Sequence, residues 1–147
     1  MRRLLLFSLV VLAACQPSEA PEAAASSELA TLLAGTDGRT WRIDSLYLND
    51  SLYYPQPGAQ QQGYTFLPDG GLQALRFAGQ AVASRRDLCG YQALGQPSEA
   101  GLLILDYCDG ASRRGRPTMA GPTRIRYPFQ VMEALPDSVL GWMLLVR

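Results

Sequence analysis

A chain of 147 residues leaves room for one modest domain with one core. Its apolar share of 48% is globular composition, and its 13 basic residues balance 13 acidic ones, so no bulk basic field is present to hold nucleic acid. Every basic residue is Arg; there is no His and no Lys. The usual general base and the commonest metal ligand are thus missing, and Schiff-base and Ser–Lys catalysis are excluded. No Gly-x-Ser-x-Gly, phosphate loop or metal-ligand cluster appears either. The sequence therefore predicts a protein that is not an enzyme, with no catalytic residue, cofactor or metal.

In chain order, Met1-Arg2-Arg3 is a basic start and residues 4–11 are an uncharged apolar run. Leu12-Ala13-Ala14-Cys15 closes that run with small residues. This is the build of a secretory signal, with an apolar part too short to span a bilayer. Leu-Ala-Ala-Cys resembles the bacterial lipoprotein cleavage motif. That resemblance implies that Cys15 is acylated and becomes the new N-terminus; the alternative is an ordinary cut near Ala14. The expected organisation is a signal peptide over 1–14, a lipidated tether over 15–26 and a folded domain over 27–147. The expected location is the bacterial cell envelope, anchored in the outer membrane and facing periplasm or surface. Loss of Arg2 and Arg3 leaves 11 of the 13 basic residues against 13 acidic ones, a slightly negative mature chain. The tether is rich in Pro, Ala, Ser and Glu and has no large apolar residue.

Residues 27–34 predict one short helix. Ser26 or Ser27 caps it, Glu28 suits the positive end of its dipole, and Gly35 stops it. Leu29, Leu32 and Leu33 form its apolar stripe. Two turns are not stable alone, so the stripe must dock.

From Arg39 onward the hydrophobic period is two. Trp41 and Ile43 share one face of a strand over 39–47. Tyr64 and Phe66 alternate with Thr65, and Pro68-Asp69-Gly70-Gly71 is a hairpin turn leading to a strand over 72–77. Strands are also predicted over 86–94 and 101–108, around a loop over 95–100. Ile125, Tyr127, Phe129 and Val131 point one way while Arg124, Arg126 and Gln130 point the other. Pro128 on that outer face predicts a bulge or an edge. Leu135-Pro136-Asp137-Ser138 turns the chain into a last strand over 139–146. Closely spaced strands with no long helix between them predict an all-β antiparallel up-and-down meander of about eight strands, the number at which small barrels close.

Three cysteines remain to be placed. If Cys15 carries lipid, Cys89 and Cys108 are an even pair in an oxidising compartment, where a disulfide is the default. They are too few for a zinc site. A plain hairpin about the 95–100 loop places the two nearly opposite each other, within disulfide range. Such a bridge contributes about 3 kcal/mol in the chain-entropy model. The alternative is two reduced thiols.

Leu33-Ala34-Gly35-Thr36-Asp37-Gly38-Arg39-Thr40-Trp41 is a leucine-rich short helix, a Gly, polar residues and a Trp opening the first strand. Together with Tyr64-Thr65-Phe66-Leu67-Pro68-Asp69-Gly70, it resembles the bacterial lipocalin-like lipoproteins. The resemblance implies an up-and-down barrel with a helix closing one end, and Trp41 packing under that helix. An inward set of Trp41, Tyr64, Phe66, Phe77, Tyr127, Phe129 and Trp142 then either lines a pocket for a small apolar ligand or fills the interior.

Two other stretches are candidate contact regions. Residues 49–62 read as a long loop near a barrel mouth, with Tyr53 and Tyr54 beside a Gln-rich run. Arg113, Arg114 and Arg116 read as a solvated loop, or as contacts for a phosphate-bearing lipid or glycan. The candidate ligand- or partner-contact residues are Trp41, Tyr53, Tyr54, Tyr64, Phe66, Tyr127 and Phe129. The expected function is that of a lipid-anchored envelope protein that binds a small apolar ligand in or at the mouth of a barrel. The alternative is a protein-interaction module, an inhibitor or accessory subunit, with a filled barrel. The expected partners are the membrane, through the anchor, and either that ligand or a protein, with no nucleic acid.

Overall fold

The structure, a computed structural model, describes residues 27–55, 59–98, 100–132 and 139–147. The signal and tether, with Cys15, and the turn over 135–138 lie outside the described residues. Ser27 caps α1 (Glu28–Ala34), its hydroxyl accepting from the Ala30 N–H at 3.0 Å. Gly35 ends the helix at φ 63°, and its N–H donates to the Thr31 carbonyl. Leu29 and Leu33 are fully buried, so the stripe docks as its pattern predicts. Polar bonds fix the docking. The Trp41 indole donates to the Leu33 carbonyl at 2.9 Å, and the Leu29 N–H to the Gly95 carbonyl at 3.0 Å. The Ser27 hydroxyl also donates to the Ala93 carbonyl.

Eleven strands follow among the described residues: β1 (Arg39–Leu48), β2 (Ser51–Tyr54), β3 (Gln61–Phe66), β4 (Leu72–Ala78), β5 (Ala81–Asp87), β6 (Gly90–Leu94), β7 (Leu102–Asp106), β8 (Ser112–Gly115), β9 (Thr118–Gly121), β10 (Arg124–Met132) and β11 (Val139–Val146). All pair antiparallel in one sheet, ordered β5-β4-β3-β1-β11-β10-β8-β7-β6, with β2 on β1 and β9 on β10. The two ends of this order, β5 and β6, are joined by Leu88 and Cys89 alone, so the sheet curls back on itself. The fold is all-β with one short helix, in more strands than about eight. The additional ones are short: β2 lies in the stretch read as a long loop, and β8 in the stretch read as a solvated arginine loop.

The expected strand over 86–94 is two strands with different partners. β5 pairs with β4, then the chain bends at Cys89-Gly90 and β6 pairs with β7. Between them, the Leu88 N–H donates to the Leu72 carbonyl and the Tyr91 N–H to the Gly70 carbonyl, both at 2.9 Å. Gly90 makes the bend possible. Its φ is 137°, and a Cβ there would lie 2.8 Å from the Gly70 carbonyl oxygen. The β6–β7 register runs from Gly90 opposite Asp106 to Leu94 opposite Leu102. That is the predicted hairpin, and Cys89 and Cys108 are bridged just beyond it, with Cα atoms 4.9 Å apart.

The core lies on the concave face. Trp41, Phe66, Leu103, Ile125, Tyr127, Met143 and Leu145 are almost wholly buried there. Arg124 and Arg126 are exposed on the opposite face of β10, as its alternation predicts. Two expected inward aromatics instead face out. Phe77 and Leu75 are buried outside the main core, with the Arg42 guanidinium 4.2 Å above the Phe77 ring. Trp142 is half-buried, stacked on Tyr47 at 4.2 Å, with Arg126 over its ring at 5.0 Å. Their parity follows from pairing: Tyr127 lies opposite Met143, which turns Trp142 outward beside Pro128.

Pro128 sits where the neighbour of β10 changes. β9 pairs with Arg124 to Arg126 and β8 with Phe129 to Met132, so no ladder bond is lost at the proline. Phe129→Ala should cost about 3–5 kcal/mol, because it empties a core aromatic site. Arg126→Ala should cost about 0.5 kcal/mol, the scale of an exposed side chain. Chemical denaturation compares them; a larger loss for Arg126→Ala would mean that β10 has its faces reversed.

Candidate functional site

The helix fills one end of the curled sheet. At the other end, β5 runs past the core, with all seven of its residues exposed. A cleft of about 450 Å³ opens there, between β3–β5 on one side and Tyr107 and Arg113 on the other. Cross-strand register builds the first wall: Tyr64, Ala74 and Arg86 lie in one row, and Gln62, Arg76 and Ser84 in the next. β8 builds the second wall. Its residue Arg113 follows the loop closed by the Cys89–Cys108 bridge. A second cavity, of about 270 Å³, shares Tyr107 and Arg113 with the first.

Arg113 is the centre of this site. One of its N–H groups donates to the Tyr64 hydroxyl at 3.1 Å, and that hydroxyl lies 2.8 Å from the hydroxyl of Tyr107. The guanidinium also lies over the rings of Tyr107, at 4.9 Å, and Phe129, at 5.0 Å. The Tyr127 hydroxyl fixes the strand beneath, its single proton shared between the carbonyls of Arg113, at 2.7 Å, and Leu103, at 2.9 Å. No carboxylate lines the first cleft or bonds Arg113 among the described residues. A guanidinium carries five donors. No buried side-chain N or O atom lacks a partner among the described residues, so the unbonded nitrogens of Arg113 keep some exposure, and Arg113 lines both cavities.

The titration behaviour follows from this packing. Burial raises the Tyr107 phenol well above its ordinary value, and Tyr64 adds to the effect. Burial also raises Tyr127, against the opposing pull of Arg113. Burial works against the charge on Arg113, but Tyr64, Tyr107 and Tyr127 outweigh it and hold its pKa above the ordinary value. At the centre of the site the Arg113 cation lies beside phenols held in their neutral form, Tyr107 and Tyr127, and Arg76, Arg85 and Arg86 also line the cleft. Such a group of donors recognises an anion.

The predicted contact residues divide. Tyr64 lines the cleft. Tyr127 and Phe129 support Arg113 from the core. Trp41 and Phe66 pack at the helix end, Trp41 under α1. Tyr54 is buried, and its hydroxyl accepts from the Gln62 N–H at 3.1 Å. Tyr53 is 60% exposed on β2, apart from the cleft. The decisive residue, Arg113, read with Arg114 and Arg116 as a solvated loop or as a contact for a phosphate-bearing lipid or glycan, lies half-buried on the strand β8 rather than in a loop. The stretch from Ala111 to Arg116 carries no apolar alternation, so only the pairing of β8 with β7 and β10 reveals a strand.

Among the described residues no group of His, Cys, Asp or Glu is placed to hold a metal ion, and no helix is long and apolar enough to cross a membrane. No known protein family, curated protein or solved structure matches the chain.

The raised phenols make stability sensitive to alkali. An unfolded tyrosine titrates near pH 10. With folded values above that, the contribution of Tyr107 and Tyr127 is complete below about pH 10 and is lost as pH rises through the folded values. Urea denaturation from neutral to strongly alkaline pH should show stability falling above about pH 10, with a shallower fall in Tyr127→Phe. An equal slope in both proteins would contradict this assignment.

Proposed function

We propose that this protein is a lipid-anchored, non-enzymatic binding protein of the bacterial envelope that takes an anionic ligand in the cleft at Arg113. The observation that carries the reading is an enclosed guanidinium with spare donors and no carboxylate partner among the described residues. A half-buried guanidinium with unfilled donors at a cleft is suited to a carboxylate or phosphate, which would complete its hydrogen bonds. The cleft lining shifts the expected ligand from a wholly apolar molecule to one with an anionic group, since Arg76, Arg86 and Arg113 face it. The anchor rests on Leu12-Ala13-Ala14-Cys15, and the barrel comparison on the antiparallel meander with its helix at one end. A lipocalin-like barrel, left open between β5 and β6, is part of this reading, with the opening beside β5 as its mouth.

Calorimetry with citrate and inorganic phosphate as probes tests the site. The full chain should bind at least one of them, and Arg113→Gln should weaken that binding roughly ten- to hundredfold, as the loss of a charge-assisted bond does. Tyr64→Phe should have a smaller effect, and thermal melting checks that both variants fold. Unchanged affinity in Arg113→Gln would contradict the site. Fatty-acid labelling of cells tests the anchor in the same proteins: label on the wild-type chain and none on Cys15→Ser is the expected result, and an unlabelled wild-type chain would contradict it.

A further inference from the structure

We infer that β5 is a strand-addition site, and that the anion bound in the cleft belongs to an extended acidic segment of a partner protein. The inference rests on the cleft being the binding site and adds the class of ligand. Its separate support is the free edge of β5. In the hydrogen-bonded order of the sheet, β5 and β6 are the two ends. The outer edge of β6 is covered, because Ser27 and Leu29 of the helix region bond the Ala93 and Gly95 carbonyls. β5 pairs only with β4 among the described strands, and all seven of its residues are exposed. About half of its backbone N–H and C=O groups therefore point away from the sheet.

The side chains specify what pairs there. Ala81, Val82 and Ala83 are small or uncharged and let another backbone approach. Arg85 and Arg86 then follow, with Arg76 beside them on β4 and Arg113 across the cleft. Arg85 and Arg86 outweigh the single carboxylate of Asp87, so the edge carries net positive charge and favours a strand of opposite charge. Its backbone would bond the β5 edge, and its alternate side chains would point to opposite faces. In a strand that alternates acidic and apolar residues the carboxylates share one face, and there they would meet Arg86 and Arg113.

The test uses the purified full chain and a labelled seven-residue peptide alternating Glu and Val. Two controls go with it: the same peptide N-methylated at alternate backbone nitrogens, and a version with Lys in place of Glu. Fluorescence anisotropy should show the Glu peptide binding, and each control at least tenfold weaker. Amide exchange should slow at least tenfold at alternate residues of β5 when the Glu peptide is present. Citrate binding at Arg113 without peptide binding would overturn the strand-addition inference and leave the anion site standing. Equal binding of the N-methylated peptide would overturn it too, since side-chain charge alone would then hold the peptide. Failure of citrate, phosphate and peptide together would overturn the cleft reading itself.

Discussion

The structure depends on one chain crossing. Residues 81–94 pair with β4 through their first half and with β7 through their second. The bonds from Leu88 to Leu72 and from Tyr91 to Gly70 hold the crossing point, and the Cys89–Cys108 bridge ties it to the end of β7. This is where the two ends of the sheet order meet. Beyond it, each half of the crossing segment has an outer edge with no strand beside it among the described residues. Burying such an edge without partners would be costly, since backbone N–H and C=O groups must be satisfied. At β6 the helix region supplies partners. At β5 the edge stays in solvent, and the cleft is the space that results.

The two ends of the molecule differ in chemistry for the same reason. At the helix end the concave face is covered, so apolar side chains gain from burial, and Trp41 can satisfy its indole N–H on the Leu33 carbonyl. At the open end the concave face meets water. Polar groups can sit there without a full desolvation penalty, and Tyr64, Tyr107 and Arg113 do so. Arg113 is the intermediate case. Its guanidinium lies over the rings of Tyr107 and Phe129, while its unbonded nitrogens keep some exposure.

Much of the fold was legible in the sequence where local chemistry was strong. Ser27 and Gly35 bound the helix as their capping chemistry predicts. The Pro68-Asp69-Gly70-Gly71 turn forms, with the Asp69 carboxylate accepting the Gly71 N–H at 2.9 Å. The hairpin register that joins Cys89 to Cys108 followed from the centre of one loop. Faces were legible only where polar and apolar residues alternate, as in β10. In β11 nearly every residue is apolar, so nothing local says that Trp142 faces out; its pairing with β10 decides. β4 carries apolar residues on both faces, Leu72 inward and Phe77 outward, for the same lack of signal. The site was the least legible part. Tyr64 and Arg113 lie 49 residues apart in sequence, and no local pattern links them. β5 has no buried face, so it leaves no periodic mark either.

Native-state amide exchange on the full, ligand-free chain tests the chain crossing most directly. The N–H groups of Leu88 and Tyr91 should exchange only with global unfolding, because they close the sheet. Alternate amides within β5 should exchange fast, because half of them point to solvent. Uniform protection along β5, or fast exchange at Leu88 and Tyr91, would contradict the account: the first by showing a covered edge, the second by showing that the crossing does not hold the sheet.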